Sequence, residues 1–272
     1  MSKQPDQTAV VAALPDPSRP HSGRIHDFLL DGKDYYSADS TVGVELVGAA
    51  SGFRNVAREA RAFLLRAVGY TVQQGVTQIL ELGSGYPCEP NVHETAQQIN
   101  PEARTLYIDN DPIVAAHGRA MLADKRTQVV DADITDATAI IDAIEEALDP
   151  RAPITMCCSF VLEFVESAQV VQTLIKTLPA GSAVVLSHIT ADLDGEIATR
   201  AAQVYAAHGI DFYPRSRREI ADLLTGCDLA EPGLVAPQMW RPLDELARWK
   251  DEQWQRTNET GQCCYAAVGW VR

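Results

Sequence analysis

The chain has 272 residues, 46% hydrophobic and 22% charged, a mix that excludes wholesale disorder and suits one large domain or one domain with a small appendage. Acidic side chains number 37 against 23 basic ones, giving a net charge of −14 with no Lys or Arg run, so binding to nucleic acid or to an anionic membrane is disfavoured. No run of 18 apolar residues exists to span a membrane, and the VVAAL patch near the N-terminus is too short and too broken by Pro for a secretion signal.

Residues 1–22 are polar and rich in Pro, Asp and Ser, and read as a mobile tail. Residues 24–39 are aromatic and charged with no clean period. The first periodic segment is 53–74, where Phe53, Val56, Ala57, Ala60, Phe63, Leu64, Ala67 and Val68 predict a helix capped by Ser51 and stopped at Gly75. Short apolar runs then alternate with helices. Strands are predicted at 77–82, 104–109, 127–133, 154–160 and 183–189, with a weak sixth at 228–235 and a seventh at 263–271. Helices are predicted at 91–99, 112–123, 136–148, 167–178, 194–208 and 216–225, the second opened by Asp111 and Pro112, the fourth capped by Ser167. Asn91 and Glu94 have capping-box spacing. This alternation implies an α/β, Rossmann-like, doubly wound sheet covered on both faces.

The six cysteines, at 88, 157, 158, 227, 263 and 264, include no C-x-x-C pair. No metal site is expected, and the thiols read as reduced and buried in a cytoplasmic protein. Trp240, Trp249, Trp254 and Trp270 crowd the C-terminal region, where some should pack the core. Residues 236–262 carry no clear strand and could cover a pocket.

Three strand ends carry chemistry. Glu81-Leu-Gly-Ser-Gly-Tyr-Pro87 follows the first strand. Gly83 and Gly85 allow a sharp turn and close approach of a ligand to the backbone. A G-x-G-x-x-G dinucleotide fingerprint is incomplete, because Cys88 holds the third glycine position. A nearby Glu81 suits a cationic amino-acid ligand better than a pyrophosphate. Asp109, ending the second strand about 24 residues after Gly85, can accept both hydroxyls of a ribose. Asp133, after the third strand, can accept from an exocyclic amine such as adenine's, with Ile134 against the ring.

In this order the features resemble class I S-adenosylmethionine-dependent methyltransferases. More narrowly, the chain resembles an actinobacterial family with an N-terminal R-[VI]-x-D-[YF]-L-L-x-G-K-[DN] segment, here Arg24-Ile-His-Asp-Phe-Leu-Leu-Asp-Gly-Lys-Asp34. The likeness continues through Arg61–Val68, Glu81–Pro87, Asn91–Glu94, Tyr107–Pro112, Val185–His188, Pro214–Arg217 and Glu231–Leu234, and covers about residues 24–272. It implies a seven-stranded sheet, mainly parallel with an antiparallel last strand, in a donor-binding domain at 76–272. An N-terminal helical lid would occupy 23–75. S-adenosyl-L-methionine would lie over Glu81, Gly83, Ser84, Gly85, Asp109, Asn110, Asp133, Ile134, Ser159 and Phe160. Arg24, Asp27, Lys33, Tyr35 and Tyr36 would belong to the lid or the acceptor side. The chain departs from the family pattern at Asp31, Ala60 and Glu163, where Gly, Asn and His are usual, which implies a specialised acceptor.

Methyl transfer needs an aligned nucleophile and a group to take its proton. Glu163, His188 and His26 are the candidate bases. A surface carboxylate at a helix start is the plainer reading of Glu163, and a hydrogen-bonded structural histidine that of His188. The expected acceptor is a small molecule of specialised metabolism, with C- or N-methylation of an indole such as a tryptophan-derived peptide. O-methylation of a phenol or carboxylate is the alternative. An NAD-dependent oxidoreductase and a non-catalytic S-adenosylmethionine-binding regulator are the competing classes. Oligomeric state is not legible.

Overall fold

The computed structural model describes residues 16–122, 125–242 and 262–272. Three helices come first: α1 (Ser22–Leu29), α2 (Ser37–Ala49) and α3 (Phe53–Gln73). Then follow β1 (Gln78–Leu82), α4 (Val92–Ile99), β2 (Arg104–Asp109), α5 (Pro112–Met121), β3 (Thr127–Asp131), α6 (Ala137–Ala147) and β4 (Ile154–Ser159). The chain continues with α7 (Gln169–Thr177), β5 (Ala183–Ile189), α8 (Gly195–Ala207), α9 (Arg217–Leu223), β6 (Cys227–Leu229) and β7 (Cys264–Val271).

The strands form one sheet in the order β3-β2-β1-β4-β5-β7-β6. All pairs are parallel except those of β7, which runs antiparallel between β5 and β6. β1 and β5 are buried at every position, as strands covered on both faces must be, and one apolar cluster fills each side of the sheet. Strand order reverses at β1, between β2 and β4, which opens a crevice at the carboxyl ends of those strands.

A third apolar cluster joins α1, α2, α3 and α8 over that crevice, with Ile25, Leu29, Leu46, Phe53 and Tyr205 at its centre. Phe28 fits against Gly43 of α2 so closely that a Cβ there would overlap the ring. Asp111 and Pro112 start α5 as expected, and Asn91 and Glu94 cap α4 reciprocally.

The structure departs from the sequence expectations in several places. Helix α2 lies within the helical lid that the resemblance implies, in a stretch where the residue pattern by itself predicted no element. The N-cap of α3 is Gly52, at φ +93°, in place of Ser51, and α7 begins at Gln169, after Ser167. β3 stops at Asp131, β4 at Ser159 where Phe160 takes φ +54°, and β6 is only three residues long. Of the expected tail, residues 16–22 are described, and His21 caps α1 by accepting from the Gly23 N–H. Trp240 is fully buried and meets Phe63 and Tyr70 edge-on, whereas Trp249, Trp254 and most of 236–262 lie outside the described residues. No described helix is long and apolar enough to cross a membrane.

Candidate active site

A cavity of about 480 Å³ occupies the crevice at the strand ends, roofed by α1. That volume is within the usual range for small-molecule sites. Its floor is the loop after β1. The Gly83 and Ser84 N–H groups both donate to the Ile108 carbonyl, and Gly83 sits at φ +67°. A Cβ on Gly83 would overlap Val161, so the turn requires glycine. Gly85, at φ +63°, faces open space, and its N–H donates to Asp109 Oδ2 at 2.8 Å.

Asp109 Oδ1 accepts from the Asp111 N–H at 2.9 Å, so both carboxylate oxygens are fixed by backbone donors. A carboxylate has about four acceptor sites, which leaves capacity for two hydroxyls. Burial raises its pKa. Glu81 is also buried, and burial pushes its carboxyl up to about 7 against the opposing pull of Arg61. Its near neighbour is Arg61 Nη1, 3.6 Å from Oε1, too far for a hydrogen bond. A cation brought to Glu81 would relieve that burial penalty.

Asn110, Asp133, Ile134, Ser159 and Phe160 line the same cavity. Asp133 is exposed at the rim, where its Oδ1 accepts from the Thr135 N–H and Oγ1–H, and Ile134 is buried beside it. The Ser159 hydroxyl is tied to that of Ser187 at 2.8 Å. Phe160 holds a left-handed backbone that is unusual for a bulky residue, and its ring lies 4.7 Å from that of His26.

The three candidate bases are placed very differently. His26 lines the cavity; its Nδ1 is sealed from solvent and has no partner. Burial and the Arg61 charge lower its pKa to about 4, so it is neutral at pH 7. Glu163 and His188 do not line the cavity. Glu163 is fully buried, correcting the surface reading; its Oε1 accepts from the Ile189 N–H, its Oε2 is unpartnered, and burial pushes its pKa up to about 7. His188 is held from both sides, with Nδ1 2.7 Å from the Ile189 carbonyl and Nε2 2.6 Å from Arg215 Nη1. That geometry fixes a neutral ring protonated on Nδ1. Arg215 also donates to the Leu162, Val165 and Glu166 carbonyls, strapping the turn that carries Phe164.

The lid residues divide likewise. Asp27 lines the cavity, but its Oδ2 accepts from the Asp34 N–H and holds the α1–α2 connection. Arg24 lies outside it, bonded to Asp39 at 3.0 Å and Asp111 at 2.5 Å. Lys33 is exposed, Tyr35 meets Phe28 edge-on, and Tyr36 lies under the Arg24 guanidinium; none of the three lines the cavity. The Tyr and Phe side chains that do line it are Tyr86, Phe160 and Phe164.

Sequence reasoning did not single out Arg61 as a site residue. It lines the cavity between Glu81 and His26, on the same face of α3 as Ala57, Leu64 and Val68. A charge interrupting that buried i, i+4, i+7 stripe was the available signal. The loop after α8, at Gly209, Ile210 and Asp211, also reaches the cavity.

A family profile described as S-adenosyl methyltransferase matches residues 10–271. No curated protein matches the chain. Among solved structures, a DUF574 family protein from Streptomyces avermitilis is 31% identical with a TM-score of 0.85, the match covering 94% of this chain and 99% of that one. A proposed methyltransferase from Thermobifida fusca is 28% identical with a TM-score of 0.82, covering 94% and 96%. An S-adenosylmethionine-dependent methyltransferase from Mesorhizobium loti shares the fold at 15% identity and a TM-score of 0.50, covering 76% and 95%. The chain belongs to the S-adenosyl methyltransferase family and is an S-adenosylmethionine-dependent methyltransferase.

Proposed function

We propose that the enzyme methylates a small planar molecule of specialised metabolism, an indole carbon or nitrogen or else a phenol oxygen, with His26 accepting the proton. The observation that carries this reading is the half-buried His26 ring, which lines the cavity beside Phe160 and is sealed at Nδ1, leaving Nε2 as the nitrogen an acceptor can reach. A neutral imidazole is ready to take an N–H or O–H proton and does not repel a sulfonium. Phe160 and Phe164 offer flat apolar contact to an aromatic acceptor. A carboxylate acceptor fits poorly, because Asp27, Glu166 and Asp211 also line the cavity. The free thiols support a reducing, cytoplasmic setting, and the acidic chain supports neither a nucleic-acid nor a membrane partner.

On the donor side we assign the ribose hydroxyls to Asp109, the adenine to Asp133 and Ile134, and the ammonium to Glu81. Gly83, Ser84, Gly85 and Asn110 would lie along the donor. When bound, the sulfonium supplies an activated methyl group. Helix α1 excludes water above it.

Turnover to S-adenosylhomocysteine with a panel of indoles and phenols tests the acceptor class. With an accepted substrate, His26→Asn should lower kcat about 10²-fold or more while donor affinity holds. Glu163→Gln should keep its rate, since that side chain does not line the cavity. The reverse pattern, at unchanged melting temperature, would return the base role to Glu163.

Glu81 adds a pH signature. Free Glu81 titrates at about 7, and only its ionised form suits an ammonium. Donor affinity should weaken as pH falls through 7 and Glu81 takes up a proton, approaching about tenfold per pH unit in acid, and should weaken again above about pH 8 as the donor's own α-ammonium loses its proton. Calorimetry across this range checks it, and a flat profile would place the ammonium elsewhere.

A further inference from the structure

We infer that the acceptor carries a protonated amine, and that Glu166 and Asp211 bind this ammonium while the ring lies against Phe160 and Phe164; this rests on the aromatic acceptor proposed above. The donor accounts for Glu81, Asp109 and Asp133, yet three further carboxylates line the cavity. Asp27 comes from α1, Glu166 from the turn after β4 and Asp211 from the loop after α8. Arg61 is the only Lys or Arg among the described lining residues. Glu166 and Asp211 are exposed at the cavity's edge, and neither forms an ion pair with a described residue. Desolvation and then the charges of Asp211 and Glu166 raise the pKa of the Tyr213 hydroxyl, which places both carboxylates around one point. The Tyr213 N–H donates to the Glu163 carbonyl at 2.7 Å, tying the loop of Asp211 to the turn of Glu166. Asp27 is a separate sign of a missing cation. It is 5% exposed, its Oδ2 accepts from the Asp34 N–H, and no described group donates to its Oδ1. Burial pushes its pKa up to about 6 against the pull of that N–H. A cation in the cavity would offset this cost.

An ammonium held between carboxylates keeps its proton and has no lone pair. It therefore anchors the acceptor, and the ring remains the nucleophile. The faces of Phe160 and Phe164 also favour a cation alongside them, and a net charge of −14 draws such a molecule in. Two other roles compete. The carboxylates could serve only to keep the cavity's edge solvated, or only to balance the donor's sulfonium. S-adenosylhomocysteine removes the second, because its sulfur is a neutral thioether.

Calorimetric titration of the enzyme saturated with S-adenosylhomocysteine is the experiment, with tryptamine, 3-ethylindole, indole-3-acetate and hexylamine as probes. The first three share a ring and differ in charge, and the last keeps only the ammonium. Tryptamine should bind roughly 5- to 30-fold more tightly than 3-ethylindole, the span of two exposed charge pairs near the upper end of their usual strength. Indole-3-acetate should bind most weakly. Raising the salt from about 0.05 to about 0.5 M should shrink the preference for tryptamine. Glu166→Gln and Asp211→Asn should each cut it, and the double variant should bring tryptamine level with 3-ethylindole at an unchanged melting temperature. A wild type that binds these two equally overturns the inference and leaves the aromatic acceptor standing, as does a preference that survives the double variant. Hexylamine binding as tightly as tryptamine would support the ammonium site and overturn the aromatic reading. Binding of none of the probes overturns both, so the failures are distinguishable.

Discussion

Asp109→Ala is expected to weaken S-adenosylmethionine binding by roughly 10³-fold, about 4 kcal/mol, from two hydrogen bonds to a charged acceptor at about 1.5–3 kcal/mol each. The magnitude depends on rigidity. Asp109 is held from behind by the N–H groups of Gly85 and Asp111, so little ordering is left for the ligand to impose. The same two bonds tie the glycine turn after β1 to the end of β2, so the variant also loosens the cavity floor. Asp109→Asn retains one oxygen acceptor without the charge and should fall between wild type and alanine. Calorimetry measures both, with melting temperature as the control for folding. A loss below about threefold in a folded Asp109→Ala would move the ribose away from β2 altogether.

What the sequence disclosed follows from which forces are local. The strands were legible because β1, β4 and β5 are buried along nearly their whole length and are mostly apolar, with Gln78 and Glu81 the polar exceptions in β1. The glycine turn and Asp109 were legible because strand ends in such sheets face the ligand crevice. Helix α2 was hidden for a physical reason. Its buried face is Asp39, Val42, Gly43 and Leu46, correctly spaced for a helix but with a carboxylate and a glycine where apolar residues belong. Asp39 is there for Arg24, and Gly43 for the Phe28 ring. Whether Glu163 was buried or on the surface stayed open in the sequence, because only tertiary structure shows that the turn after β4 tucks this side chain under the Ile189 N–H. Arg61 belongs to a helix whose apolar stripe announced packing, and its charge on that stripe was passed over.

Arg24→Met should destabilise the protein by about 3–5 kcal/mol, the penalty for breaking a buried ion pair from one side. Arg24 is 3% exposed and bridges two buried carboxylates, Asp39 at 0% and Asp111 at 3%. Its Nε donates to Asp39 Oδ2, Nη1 to Asp111 Oδ2 and Nη2 to the Arg19 carbonyl. Methionine keeps much of the stem's packing but leaves both carboxylates without the guanidinium. Asp39 retains the N–H groups of His21 and Tyr36, and Asp111 that of Ile113, so hydrogen bonding partly compensates and the fold should survive. At roughly 2–4 °C per kcal/mol for a domain of this size, the melting temperature should drop by about 6–20 °C. The double variant Arg24→Met, Asp111→Asn should lose less than the sum of the two single changes, because the second removes a charge that the first left unpaired. Additive losses would mean that the pair is not coupled and that α1 is held by Ile25 and Leu29 alone. Coupling would show more than stability. Asp111 follows Asp109, the proposed ribose ligand, by two residues and His26 follows Arg24 by two, so this ion pair fastens the helix carrying the proposed base to the loop carrying the proposed donor site. Hydrogen exchange of α1 with and without S-adenosylhomocysteine should then show ligand protection in the wild type that is reduced in Arg24→Met.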